Sequence, residues 1–121
     1  MSGKNRAPTE PAVVVGKAYQ LVLWLLPKVE KFPRSHKFTV GDRLAAYGMD
    51  VLLNLVEAAY SKNKLSLLEQ STRKVNATRY LLRLAKDLRL LSEDSYVFAA
   101  ERLDEIGSMA GGWYKASGSQ A

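Results

Sequence analysis

The chain has no cysteine and a single histidine among its 121 residues. Without cysteine there is no disulfide, no thiolate zinc site and no thiol nucleophile. With His36 alone, one subunit cannot assemble a histidine relay or a histidine-rich metal site. Long apolar runs are scarce too. The longest unbroken one is Leu21–Leu26, far below the roughly 18 residues that cross a bilayer, so no membrane span or membrane partner is expected. Val13–Val15 is too short for the core of a signal peptide, and the expected location is the cytoplasm. Strand-like alternation is missing, and no boundary carries a hairpin dipeptide. What is plentiful is base: 18 Lys+Arg against 12 Asp+Glu, a net charge of +6. That excess points to an acidic partner without saying anything of the fold.

Residues 1–11 hold Lys4, Arg6, Pro8 and Pro11 and read as a flexible basic arm. From residue 12 the pattern turns helical. Val15, Ala18, Val22, Leu25, Val29 and Phe32 recur at steps of three and four, one face of a first helix. Pro27 predicts a kink in it, and Pro33 an end. Thr39, with Asp42 three residues on, reads as a capping box opening a second helix to about Ser61. That helix carries two apolar stripes: Leu44, Val51, Leu55 and Ala58, beside Ala45, Met49, Leu52, Val56 and Ala59. Ser66 with Glu69 is a second capping box for a third helix, with Lys62–Leu65 open to being helical as well, and the expected core stripe is Ala77, Leu81, Leu84, Leu88 and Leu91. Ser92, followed by Glu93 and Asp94, opens a fourth. Tyr96, Ala99, Leu103, Ile106, Ala110 and Trp113 form its stripe. The expectation is all-α: an antiparallel up-down four-helix bundle over residues 12–116 with a kinked first helix, and a disordered tail at 117–121.

The charge is uneven. Residues 62–91 hold eight bases and two acids, an excess equal to that of the whole chain. Arg79, Arg83, Lys86 and Arg89 follow helical steps, opposite the expected leucine stripe. Like charges so spaced cost roughly a few tenths of a kcal/mol per pair, so something should compensate them. A polyanion would do so, Arg being suited to bidentate phosphate contacts. Salt bridges to Glu101, Asp104 and Glu105 on the fourth helix would do so equally. Arg73 and Lys74 extend the basic set, and Arg34 and Lys37 add a second basic contact in the segment Phe32–Phe38, read as a loop that also holds His36.

Other groups point away from catalysis. Glu101, Asp104 and Glu105 lie largely off the core stripe with no histidine following, a solvated acidic face and not a metal site. No cofactor is implied. Gly107 and Gly111, with Gly112, put small residues late in the fourth helix, where either a neighbouring helix or a second copy could approach. Trp24 and Leu23 fall off the first helix's stripe and the second helix is apolar over too wide an arc. Surplus apolar area in a chain this size points to an oligomer, with Trp24, Trp113 and Gly111 as its candidate interface.

The segment from Leu25 through Pro27, Pro33, His36 and Gly41 to Leu44 resembles the accessory variability determinant (Avd) of diversity-generating retroelements. The likeness continues through Tyr60–Lys64, Leu82–Arg89, Leu103–Gly107 and Gly111–Trp113, and covers roughly residues 19–115. Related intervening-sequence proteins of ribosomal RNA share the fold but carry an Asn-Ile-Ala-Glu-Gly-like segment where this chain has Leu55–Ala59. Ser108 and Ala110 depart from the Avd pattern beside Met109. The resemblance implies a non-enzymatic homopentamer that binds the element's reverse transcriptase and its RNA or DNA through basic surfaces, supporting mutagenic copying. The alternatives are an intervening-sequence-type bundle and a purely structural oligomeric module without nucleic acid.

Overall fold

The run from Glu10 to Glu30 forms one unbroken helix, α1, with Pro27 inside it. Pro27 is exposed, and Leu23, whose carbonyl loses its partner to the proline, is 52% exposed. Water can therefore reach the freed oxygen. In this computed structural model residues 10–119 are described, and most of the basic arm and the end of the tail lie outside them. Pro11 already belongs to α1. Lys31 and Phe32 close the helix with amides donated to the Lys28 and Val29 carbonyls at 3.2 and 3.0 Å.

The segment read as a loop is helical. Pro33 starts a single turn, α2 (Arg34–His36), which runs into a π-helical turn, Lys37–Gly41, and then into α3, Asp42–Tyr60. Thr39 is not a cap. Its hydroxyl donates back to the His36 carbonyl at 3.3 Å, and Gly41 stands at the α3 N-terminus without a capping side chain. A Cβ at Gly41 would stand 3.1 Å from Val29 Cγ1 and 3.4 Å from a Phe32 ring carbon. Close approach to α1 thus shapes this corner.

The helix α4 spans Lys64–Asp87 and α5 spans Glu93–Ser119. α4 begins before the expected capping box. Lys64 Nζ donates to the Ala58 and Ser61 carbonyls at 2.7 and 2.8 Å, tying its own start to the end of α3. Ser92 does cap α5, its Oγ accepting the Ser95 amide at 3.1 Å. Between them α4 ends in a Schellman turn. Leu90 N–H donates to Ala85 O at 2.8 Å, Arg89 N–H donates to Lys86 O at 2.9 Å, and Arg89 has φ 64.

The four long helices pack in a ring, α1 on α3, α3 on α4, α4 on α5 and α5 on α1. Their pairs run antiparallel. Lys17 meets Glu105 and Trp24 meets Phe98, while Asp50 meets Lys74, and Arg79 meets Asp104 one end-to-end step from Lys86 on Tyr96. The chain is an all-α four-helix bundle. The expected stripes of α1, α3 and α5 are largely buried, and in α3 Leu44, Val51, Leu55 and Ala58 form the inner one.

The α4 stripe is different from the one expected. Leu68, Ser71, Val75, Thr78, Leu82 and Ala85 are buried, whereas Leu84 and Leu88 are 44% and 39% exposed. The true stripe lies one residue, about 100°, around the helix. Two hydroxyls disguise it. Thr78 Oγ1 returns its hydrogen bond to the Lys74 carbonyl at 2.6 Å, which makes the buried hydroxyl tolerable.

One expectation about membranes also changes. Pro11–Glu30 is long and apolar enough, by length and composition, to cross a bilayer. The longest unbroken run underestimates it, because Lys17 and Gln20 divide the apolar residues of its first part. In the bundle the inner face of this helix, Val14, Ala18, Leu21, Leu25 and Val29, is core.

Candidate nucleic-acid interface

Burying Leu68 through Ala85 turns a fixed set of α4 positions outward. Steps of three and four from Glu69 give Arg73, Asn76, Tyr80, Arg83 and Asp87, all exposed. Arg79 and Lys86 sit on the flank towards α5, and Lys74 on the flank towards α3. The basic residues therefore spread over three sides of α4. Arg89 lies beyond its end, in the left-handed turn.

Most of these cations have acidic neighbours in the same chain. Arg79 Nε is 2.9 Å from Asp104 Oδ1 on α5, and Arg79 Nη1 donates to Asn76 Oδ1 at 2.9 Å. Lys74 Nζ is 3.2 Å from Asp50 on α3 and 3.9 Å from the Tyr47 ring centre. Lys86 Nζ is 3.6 Å from Asp87 and 4.8 Å from the Tyr96 ring. Arg73–Glu69 and Arg83–Asp87 are looser, at 4.0 Å. The side chains are all at least a quarter exposed, so each pair contributes about 0.2–1 kcal/mol at most. Arg34, Arg43 and Arg89 are exposed and form no ion pair among the described residues. Of the expected acidic partners on α5, Asp104 pairs with Arg79, whereas Glu105 pairs with Lys17 of α1 and Lys74 finds Asp50 of α3 instead. Glu69 is further occupied by Tyr114, whose hydroxyl donates to its carboxylate at 3.0 Å. That bond, then the carboxylate's charge, pushes the phenol up from its ordinary value.

Aromatic rings interleave with these bases, which the sequence reading did not register. Tyr80 is 72% exposed. A groove of ≈ 510 Å³ towards α5 is lined by Asn76, Arg79, Tyr80, Arg83 and Tyr96. A second, of ≈ 290 Å³ towards α3, is lined by Arg43, Tyr47, Ala77, Tyr80, Leu81 and Leu84. Tyr80 is the ridge between them. The spacing Arg73, Asn76, Tyr80, Arg83 was the available signal, but it becomes a face only when the Ser71–Thr78 side is recognised as core.

The second basic contact sits at the α1–α3 corner. Lys37 lies 3.6 Å from Glu30 and 5.8 Å from the ring of Phe38, which is 61% exposed. Arg34 is exposed beside half-buried His36.

The three candidate interface residues separate. Trp113 is 6% exposed and belongs to the subunit's own core, beneath Lys64 Nζ at 5.9 Å. It has almost no surface left for a second copy. Trp24 is half-buried, its ring packed at 5.1 Å and tilted by 40° against Phe98 and covered by Lys28 at 5.3 Å. It borders a groove of ≈ 750 Å³ between α1 and α5 that also holds Lys17, Gln20, Arg102 and Glu105. Gly111 has nothing within 4 Å of where a Cβ would stand, whereas a Cβ at Gly107 would stand 3.1 Å from Arg79 Nη2 and 3.3 Å from Val75 Cγ1 of α4. The close helix approach is therefore at Gly107, inside the subunit. Surplus apolar surface is present elsewhere: Tyr19 and Leu23 on α1, and Met49 and Leu53 on α3, are 41% to 52% exposed. A Cβ at Gly48 would stand 3.0 Å from Leu25 Cδ2, a register that brings these four to the same level of two adjacent helices.

The acidic residues of α5 serve as ion-pair partners, Asp104 for Arg79 and Glu105 for Lys17 at 3.0 Å. Among the described residues no group of three or more His, Asp or Glu side chains is placed to hold a metal ion.

Comparison with known proteins agrees with this architecture. A crystal structure of a protein of unknown function from the S23 ribosomal protein family of Bacteroides thetaiotaomicron superposes with a TM-score of 0.82. It covers 88% of this chain and 99% of its own, at 17% identity, a likeness of fold alone. No curated protein matches. The bAvd-like family matches residues 12–117, which takes in all four long helices almost entirely, and the chain belongs to that family.

Proposed function

We propose that this protein is the accessory subunit of a diversity-generating retroelement, a cytoplasmic homopentamer that holds the element's reverse transcriptase and its template RNA or cDNA during mutagenic retrohoming. Membership of the bAvd-like family, a non-catalytic and accessory kind of protein, supports the role. The observation that carries nucleic-acid binding is the outward side of α4 with its two grooves, where Tyr80 has Arg83 on one side and, across the groove towards α3, Arg43, which forms no ion pair among the described residues. Arginine offers forked donors to phosphate, and aromatic rings offer stacking surface. The exposed Tyr19, Leu23, Met49 and Leu53 support self-association.

A second reading, a purely structural oligomer, draws on the ion pairs Arg79–Asp104 and Lys74–Asp50, which already neutralise part of the stripe. The solution mass, measured at low and high salt with and without the element's reverse transcriptase, separates them. The proposal expects five subunits at both salts and co-elution with the transcriptase. A monomer, or an oligomer that ignores both transcriptase and RNA, contradicts it.

A further inference from the structure

Tyr80 is anomalous for a solvated helix face. The residue is 72% exposed, and it makes no hydrogen bond, ring contact or cation contact among the described residues. The neighbouring Tyr47 and Tyr96 are each already covered by an ammonium, Lys74 at 3.9 Å and Lys86 at 4.8 Å. Tyr80 alone of the three leaves its faces open, and it stands between two grooves that each contain an arginine and a second tyrosine.

From this arrangement we infer that Tyr80 is a stacking platform for an unpaired base of a single-stranded nucleic acid, with the flanking phosphates taken by Arg83 in one groove and Arg43 in the other. The inference rests on the nucleic-acid binding proposed above and narrows it to single strands. A base inside a duplex is covered above and below by its neighbours and has no face to offer. An unpaired base has one, and covering an exposed ring with it removes apolar surface from water on both partners. The two arginines suit the role because they are the loosely held ones. Arg83 reaches Asp87 only at 4.0 Å, with 63% of its side chain exposed, and Arg43 has no acidic partner among the described residues. Arg79 is held by Asp104 and Asn76 and props the groove wall instead. Stacking recognises the π-face common to all bases, so RNA and DNA should serve alike.

The test uses the purified full chain, with Tyr80→Ala, Tyr80→Phe and Arg83→Gln. The probes are a single-stranded oligonucleotide containing 2-aminopurine, in RNA and DNA versions, and the matching duplexes. Tyr80 is exposed, so unchanged circular dichroism and solution mass should accompany every variant. Tyr80→Ala should weaken single-strand binding about five- to a hundred-fold and abolish the quenching of 2-aminopurine, with duplex binding unchanged. Tyr80→Phe should behave as wild type, and Arg83→Gln should reduce the salt dependence of both probes. Wild-type affinity in Tyr80→Ala, or equal losses for single strand and duplex, overturns stacking while leaving nucleic-acid binding intact. Loss in Tyr80→Phe restricted to RNA overturns it in favour of a hydroxyl contact to the ribose. No binding of any probe by wild type removes the broader proposal as well.

Discussion

Arg79 on α4 and Asp104 on α5 are joined by a 2.9 Å contact between Nε and Oδ1, on the flank where the Arg79 side chain lies over Gly107 of α5. The cation of the basic stripe with the shortest ion pair is thus already engaged inside the subunit. Both side chains are well over a third exposed, so solvent screens the pair and limits its contribution. A double-mutant cycle on Arg79→Ala and Asp104→Ala, read by urea unfolding, should give a coupling of about 0.2–1 kcal/mol. A coupling of several kcal/mol would mean that the pair is structural, and that the stripe's charge is organised for the fold.

The rotated core of α4 makes a paired prediction. Leu82→Ala removes a side chain that is 1% exposed and should destabilise the bundle by about 2–5 kcal/mol. Leu84→Ala truncates a side chain that is 44% exposed and should cost a small fraction of that. Chemical unfolding of the two variants measures the difference. Equal losses would contradict the assigned stripe.

That rotation marks where the sequence stopped being legible. The helices themselves were readable, because Ser92 is a true cap and the stripes of α1, α3 and α5 are apolar throughout. On α4 two hydroxyls, Ser71 and Thr78, occupy core positions while Leu81, Leu84 and Leu88 flank the core. Hydropathy ranks leucine inside, and only the neighbouring helices show otherwise. The same error hid Tyr80, whose face is defined by what lies opposite it. The corner from Pro33 to Gly41 was missed for another reason. A π-helical turn has no side-chain signature, and this one follows from the close packing of Gly41 on Val29 and Phe32.

Arg89 offers a separation of stability from binding. It occupies the left-handed position of the Schellman turn, φ 64, where glycine is the usual residue and a side chain costs about 1–2 kcal/mol. It has no ion-pair partner among the described residues. Arg89→Gly should therefore raise the unfolding midpoint, stabilising the bundle by about 0.5–1 kcal/mol once glycine's extra chain entropy is deducted, and lower RNA affinity. Thermal unfolding and a binding titration on the same sample check both halves. Unchanged affinity would place Arg89 outside the interface.

The central claim is that the outward basic side of α4 binds nucleic acid. It is tested most directly by the slope of log K against log salt for RNA binding, in wild type and in Arg79→Glu/Arg83→Glu. Wild type should show a steep negative slope. The double variant, still folded and of the same solution mass, should bind more weakly with a slope shallower by about one to two units. A flat wild-type slope, or an unchanged slope and affinity in the folded variant, would contradict the account.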